Sequence, residues 1–289
     1  MATAANIITA GEYDLREYAG QKLEDAEKLE YLNRALIVLD AELLSMNSDW
    51  VHQTLVSAGL TAGLQKVSQP TRCVSIRSIW VTDIIDSFTD LTYTAAADTI
   101  ATAAGTFVTN GIAVDQTIGI DGSTDNDTHD IGLLSVSAVT ETLITVNEDV
   151  IVDEGAANAS GTIFAMKNDE VVKKSTDYVL YRRKQASETG RPYYWAHEGT
   201  NIIFDKKADQ AYGLFIHFNQ KTDTLAVGTT MPYNGEFDTA LREGMVFLAK
   251  HRNDDADSIS AALERMFKTT VMRQAVRRNY IPRRYQLDF

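Results

Sequence analysis

With one cysteine in 289 residues, no intrachain disulfide is possible. That residue, Cys73, lies in Arg72-Cys-Val-Ser-Ile-Arg77, which reads as a strand. The sequence places no histidine partner beside it, so a small buried residue is expected rather than a reactive thiol. Long apolar runs are missing as well. No stretch of about 18 apolar residues exists, and no membrane span is predicted. The first residues, Met-Ala-Thr-Ala-Ala-Asn, lack the basic start and apolar core of a signal peptide. Maturation in a reducing cytoplasm, or in an assembly built there, is the expectation.

The motifs of familiar chemistry are also absent. His52, His129, His197, His217 and His251 are scattered, with no HExxH, CxxC or paired-histidine spacing, so no zinc site is expected. No phosphate-cradling glycine loop and no Gly-x-Ser-x-Gly occur. Acids are plentiful enough for a hydrolase with paired carboxylates, but context singles none out. The sequence therefore predicts no catalytic residue, no metal, no cofactor and no enzyme.

Basic charge is scarce. Lys and Arg number 27 against 40 Asp and Glu, a formal charge of −13, which excludes a basic nucleic-acid coat. The balance is uneven. Residues 261–289 hold seven bases (Arg265, Lys268, Arg273, Arg277, Arg278, Arg283, Arg284) and two acids, a net +5 that leaves −18 on residues 1–260.

What is present begins with a helix over Leu23–Met46. Leu29, Leu32, Leu36, Leu39, Leu43 and Met46 recur at spacings of three and four, on one stripe. Glu24, Asp25 and Glu27 crowd its first turns, as the helix dipole prefers. The stripe packs either within its own domain or, over Leu29–Leu43, against a neighbouring subunit as in a coiled coil. Cys73–Val81 is rich in β-branched residues and reads as a strand.

Residues 92–168 have a different composition: eleven acids, one base (Lys167), no proline and three aromatics (Tyr93, Phe107, Phe164). Strand-like segments recur at Gly105–Val108, Gln116–Ile120, Gly132–Val139, Thr142–Val146 and Gly161–Ala165, separated by turn clusters. They predict an inserted all-β domain, a small sandwich or barrel, within a body formed by residues 1–91 and 169–289. Tyr178–Arg182 reads as a strand or helix edge. Tyr193–Ala196, Asn201–Asp205 and Tyr212–Phe218 read as an antiparallel meander. Two helices follow, from about Phe237 to Lys250 and from about Asp257 to Asn279, the second carrying Ile259, Leu263, Met266 and Thr270 on one face. Pro282 then leaves Arg283–Phe289 as an exposed tail. The expected fold class is α+β: a helical body with an antiparallel β meander, plus the all-β insert.

Three features invite a binding role. The loop Asp121–Asp130 offers Asp125, Asp127 and Asp130, but it lacks the glycine and glutamate positions of an EF-hand, so a solvated hairpin loop is expected. In Tyr193-Tyr-Trp195, alternation predicts Tyr193 and Trp195 on one face and Tyr194 on the other, mainly as core packing. The C-terminal end joins arginines to Tyr285, Leu287 and Phe289 at alternate positions, which suits an extended arm docking on a protein partner.

The pattern of residues 178–252 resembles the head-to-tail adaptor (connector) proteins of tailed bacteriophages. The resemblance rests on Tyr181-Arg182, Gly190-Arg-Pro-Tyr-Tyr-Trp-Ala196, Gly199-Thr-Asn-Ile-Ile-Phe-Asp205, Asp209-Gln-Ala-Tyr-Gly-Leu214, Leu225, Met231-Pro232 and the helix Leu241–Arg252 with its Leu241-x-x-Gly244-x-x-x-Leu248-Ala249. The N-terminal helix, Ala58-Gly59 and the strand after Pro70 fit the same pattern; the β insert departs from it. The resemblance implies a virion protein, assembled in the host cytoplasm, that forms a dodecameric ring below the portal. Its partners would be further copies of itself, the portal protein, and a tail or nozzle protein. Double-stranded DNA would pass through its channel without specific binding. Arg277, Arg278, Tyr280, Arg283, Arg284, Tyr285, Leu287 and Phe289 would form the portal-docking arm. The resemblance carries no role over to the insert; decoration of the outer rim, in contact with capsid or fibres, is a separate expectation for it. The alternative is a tail or fibre-attachment module whose insert binds a fibre or carbohydrate.

Overall fold

The computed structural model describes residues 2–16, 23–46, 49–103, 105–154, 159–167, 169–185, 189–251 and 256–277. In chain order the elements are α1 (Ala4–Arg16), α2 (Asp25–Ser45), β1 (His52–Leu60), β2 (Lys66–Ser68), β3 (Cys73–Thr82), β4 (Ile85–Thr94), β5 (Thr99–Ala101) and β6 (Thr117–Asp121). Next come α3 (Thr128–Ile131), β7 (Leu134–Val139), β8 (Leu143–Val146), β9 (Ala159–Ala165), β10 (Glu170–Lys173) and α4 (Thr176–Gln185). Then follow β11 (Tyr194–Glu198), β12 (Asn201–Phe204), β13 (Tyr212–Gln220), α5 (Asp238–Lys250) and α6 (Ala256–Arg277). The fold is mixed α+β, in two units: a helical one from residues 1–51 and 221–289, and a β one from residues 52–220.

The helical unit is drawn from both ends of the chain. Its core joins the α2 stripe to Leu241 and Met245 of α5 and to Leu263, Phe267 and Val271 of α6. A capping box starts α2: Glu24 and Glu27 each satisfy the other's backbone N–H. The expected α6 stripe is offset at its C-terminal end, where Phe267 and Val271 are buried in place of Met266 and Thr270. The α1 helix, which the sequence reading missed, buries Ala4, Ile7, Ile8 and Leu15. Gly244 of α5 marks a close crossing. A Cβ there would lie 2.8 Å from Phe267 and 3.1 Å from the Ala35 Cβ, so only glycine lets the helices approach this far.

The β unit holds two sheets. The first has seven strands in the order β1-β13-β3-β10-β11-β12-β2, and it curls around Trp195, Phe204, Phe218 and their neighbours. Its pairings are antiparallel except β10 with β11, where Val172 stands opposite Tyr194. The expected meander is therefore corrected. β11 and β12 form a hairpin, but β13 leaves them to pair between β1 and β3. The expected strand or helix edge at Tyr178–Arg182 is the helix α4.

The second sheet is a closed barrel, β4-β5-β8-β7-β6-β9. Alternate residues such as Ile118 and Ile120, Leu134 and Val136, and Ile144 and Val146 fill it. The barrel spans Ile85–Ala165, so it begins seven residues before the expected boundary at 92. The expected strand Gly105–Val108 is a turn; β5 lies at Thr99–Ala101 instead. The strands outside the barrel, assigned from sequence to the helical body, belong to the β unit.

The barrel meets the curled sheet through Val56, Phe164 and Phe215. Gly119 on β6 allows this contact, since a Cβ there would fall 2.5 Å from Val56. The chain enters and leaves the barrel side by side: Ile85 stands opposite Phe164, and Ala165 N–H donates to Ile84 O at 3.2 Å. The Thr82 hydroxyl donates to Ala165 O at 2.6 Å and accepts from Ile84 N–H at 3.1 Å. Lys167 pairs with Asp83 at the same point.

Candidate functional site

The residues expected to pack subunits are used inside the chain. Leu32, Leu36, Leu39 and Leu43 are buried in the helical core, and Leu29 is half-buried against it. This corrects the subunit-packing expectation: a stripe closed over by α5 and α6 has little surface left for a neighbour. Of the expected arm, Arg277 ends α6. Arg278, Tyr280, Arg283, Arg284, Tyr285, Leu287 and Phe289 lie outside the described residues. Arg265 and Lys268 are exposed on the helix that leads to them.

A polar latch unforeseen from sequence ties residues 221–237 to α2. Asp40 is buried, and its carboxyl accepts from Thr222 N–H (2.9 Å), the Thr222 hydroxyl and the Tyr233 hydroxyl. Burial, reinforced by Asp40, pushes the Tyr233 phenol far above its ordinary value. Asn33 adds a second clasp, accepting from Leu225 N–H at 2.7 Å and donating to Leu225 O at 3.1 Å.

In the β unit a cleft of about 590 Å³ gathers His52, Thr54, Arg77, Thr128, Asp130 and His217. Arg77 lies 2.7 Å from His52 Nδ1, and Thr54 Oγ1 lies 2.9 Å from His217 Nδ1. The residues come from β1, β3, β13 and α3, so linear spacing gave no sign of them. Burial, then Arg77, pulls His217 below the ordinary imidazole value. The folded form thus holds fewer protons than the unfolded chain just below pH 6.5. Stability contributed by neutral His217 is complete above that pH and is lost as acid charges the unfolded ring. Urea midpoints at pH 7.5 and pH 5.5 are expected to fall more steeply with acid in the wild type than in His217→Asn. Equal slopes would contradict this.

The acidic loop is built as a pinned turn. Glu154 accepts from the Ser123 hydroxyl (2.9 Å), from Thr124 N–H and from Asp125 N–H (2.8 Å), while Asn126 exchanges two hydrogen bonds with Val152. It lies, as expected, in the connection of a hairpin, between β6 and its antiparallel partner β7, and runs into the short helix α3 on the way. Among the described residues no group of three metal-ligating side chains gathers. Cys73 is half-buried at the start of β3, and burial pushes its thiol up, away from reactivity.

The expected pairing of Tyr193 with Trp195 fails. Trp195 is fully buried and Tyr193 is 58% exposed, because the strand begins only at Tyr194. Asp205, itself buried, accepts from Tyr193 N–H and Tyr194 N–H at 3.0 Å each. Arg183 of α4 donates to Phe204 O (2.7 Å) and Gln65 O (2.6 Å), locking the helix on the sheet. Tyr178 and Tyr181 of α4 remain exposed. The density of tyrosine and lysine over 173–194 is the signal that could have flagged this face.

The charge also has an address. The barrel, residues 85–165, holds thirteen Asp and Glu and no Lys or Arg. Removing these from the chain's 40 acids leaves 27, matched by its 27 bases. The barrel therefore carries a charge equal to the whole formal −13, while the −5 on residues 1–84 and 166–260 is offset by the +5 on residues 261–289. Among the described residues no helix is long and apolar enough to cross a membrane. No protein-family model matches the chain, and no curated protein matches it.

Proposed function

We propose that the chain is a structural protein of a tailed-phage virion, a ring adaptor joining the portal vertex to the tail around the DNA channel. One observation carries the reading: the residues of the adaptor-like pattern are used as scaffold. Gly244 sets the α5 crossing, Asp205 caps the start of β11, and the Tyr212 hydroxyl donates to Asp209 at 2.7 Å. Such use suits a protein whose work is to hold a shape. In this reading DNA passes without specific binding, since the acid-rich barrel repels phosphate and the rest of the chain has no net charge to attract it.

The fibre- or carbohydrate-binding alternative loses its main support. All four aromatics of the barrel, Phe88, Tyr93, Phe107 and Phe164, are buried, so no exposed aromatic platform exists there for a sugar.

Negative-stain imaging of the purified protein mixed with a portal ring tests the proposal. A second ring stacked on the portal is expected; particles showing only bare portal would overturn it. Truncation after Tyr280 is expected to abolish stacking through loss of the arm, and retained stacking would refute the arm's role.

A further inference from the structure

The α4 face of the β unit combines rings with cations. Tyr178 and Tyr194 meet edge to face at 5.3 Å. The Lys174 ammonium stands 5.7 Å from the Tyr178 ring and 5.8 Å from the Tyr194 ring, and Lys206 lies 5.0 Å from Tyr193. Tyr181 is 56% exposed on the same helix. Rigid amphipathic rings beside held cations are the chemistry of protein interfaces, and they suit an acidic partner with some apolar surface.

That complement exists on the chain itself. The barrel's surface acids are interleaved with exposed aliphatics: Val114 beside Asp115, Leu143 near Glu141, and Val150 and Val152 flanked by Asp149 and Asp153. A surface carrying twelve acids (all of the barrel's thirteen but the buried Asp86) and no base repels its own kind, and a basic face complements it. The α4 face supplies one on every copy.

We propose that the tyrosine–lysine face of one copy receives the acidic, valine-bearing barrel of a second copy. Two different patches meet, so the contact is heterologous; repeated from copy to copy it closes a ring when the rotation allows. The inference deepens the ring-adaptor reading and rests on it for closure. Charge steers the contact and tyrosines anchor it, so assembly weakens with salt.

The test is sedimentation velocity of the full chain in 50 mM and 500 mM salt, on wild type and on Lys174→Glu/Lys206→Glu. Both lysines reach solvent, and an unchanged melting temperature confirms folding. The wild type is expected to assemble at low salt and dissociate at high salt. The double variant is expected to self-associate at least tenfold more weakly. It should co-assemble with a second chain carrying Asp115→Lys, Glu141→Lys, Asp149→Lys and Asp153→Lys. A wild type that stays monomeric at low salt, or a double variant that assembles like wild type, overturns the inference. If that variant also stacks on the portal, the ring-adaptor reading survives the loss of this interface; if the wild type stacks on no portal, that reading falls whatever the variants do. A duplex oligonucleotide retained by wild type and lost by the double variant, with self-association unchanged, would assign the face to nucleic acid instead.

Discussion

Asp40→Ala is expected to unfold the segment 221–237 from α2 and to lower the stability of the helical unit by about 3–5 kcal/mol. Three donors converge on this buried carboxyl: the Thr222 amide, the Thr222 hydroxyl and the Tyr233 hydroxyl. Alanine leaves them with no acceptor in a site that admits little water. Asp40→Asn keeps one oxygen for Thr222, and its amide can donate to the Tyr233 oxygen, so its cost is smaller, about 1 kcal/mol. Trp50 reports the change, because its ring packs edge-on against Tyr233 (6.3 Å) and Phe237 (5.8 Å). Urea unfolding followed by Trp50 fluorescence, in a background lacking the other two tryptophans, should show the midpoint falling by about 2 M for alanine. A fall equal to that of asparagine would show that the latch is not what holds the segment.

Trp195→Ala should damage the β unit to a similar degree, about 3–5 kcal/mol, through the cavity it leaves. The indole is fully buried in the core of the curled sheet, in one cluster with Ile202, Phe204 and Phe218. Its Nε1 has no hydrogen-bond partner among the described residues, so Trp195→Phe removes volume without orphaning an acceptor and should cost less than half as much. Hydrogen exchange in β11–β13 checks both variants. Faster exchange there in alanine than in phenylalanine, with α2 and α5 unchanged, is the expected result; equal exchange would contradict the packing account.

Some of this structure was readable in the sequence and some was not, for separable reasons. The α2 helix was legible because its leucines repeat at three and four while its outer face is charged. β12 and β13 were legible as dense apolar runs bounded by turn residues. α4 was not: over residues 176–184 it buries only Val179 fully, so it has almost no stripe to detect. The start of the barrel was hidden by Asp86, a buried acid in β4 that accepts from the Thr106 hydroxyl at 3.0 Å and breaks the apolar alternation. Strand order was out of reach, since the departure of β13 from its sequence neighbours is decided by pairing across the unit. The polar cleft draws on four separated segments, so spacing could not assemble it. Apart from Lys206, which follows β12, the tyrosine–lysine face lies within residues 173–194 and was legible in principle. What obscured it was the alternation rule applied one residue too early, at Tyr193.

The paired doorway of the barrel has an evolutionary consequence. Because β4 leaves the sheet beside the point where β9 returns, the covalent joint to residues 85–165 spans no more than a short hairpin loop would, and the packing of Phe164 on Val56 and Phe215 is what the host adds to it. Such a module can be exchanged or enlarged by recombination at Asp83–Ile84 and Met166–Lys167 without re-registering any strand of the host sheet, provided that Val56 and Phe215 stay covered. The scaffold would then stay under the constraint of its packing while the cassette diverged at its own rate, and a foreign domain with neighbouring termini could be spliced in at the same joint.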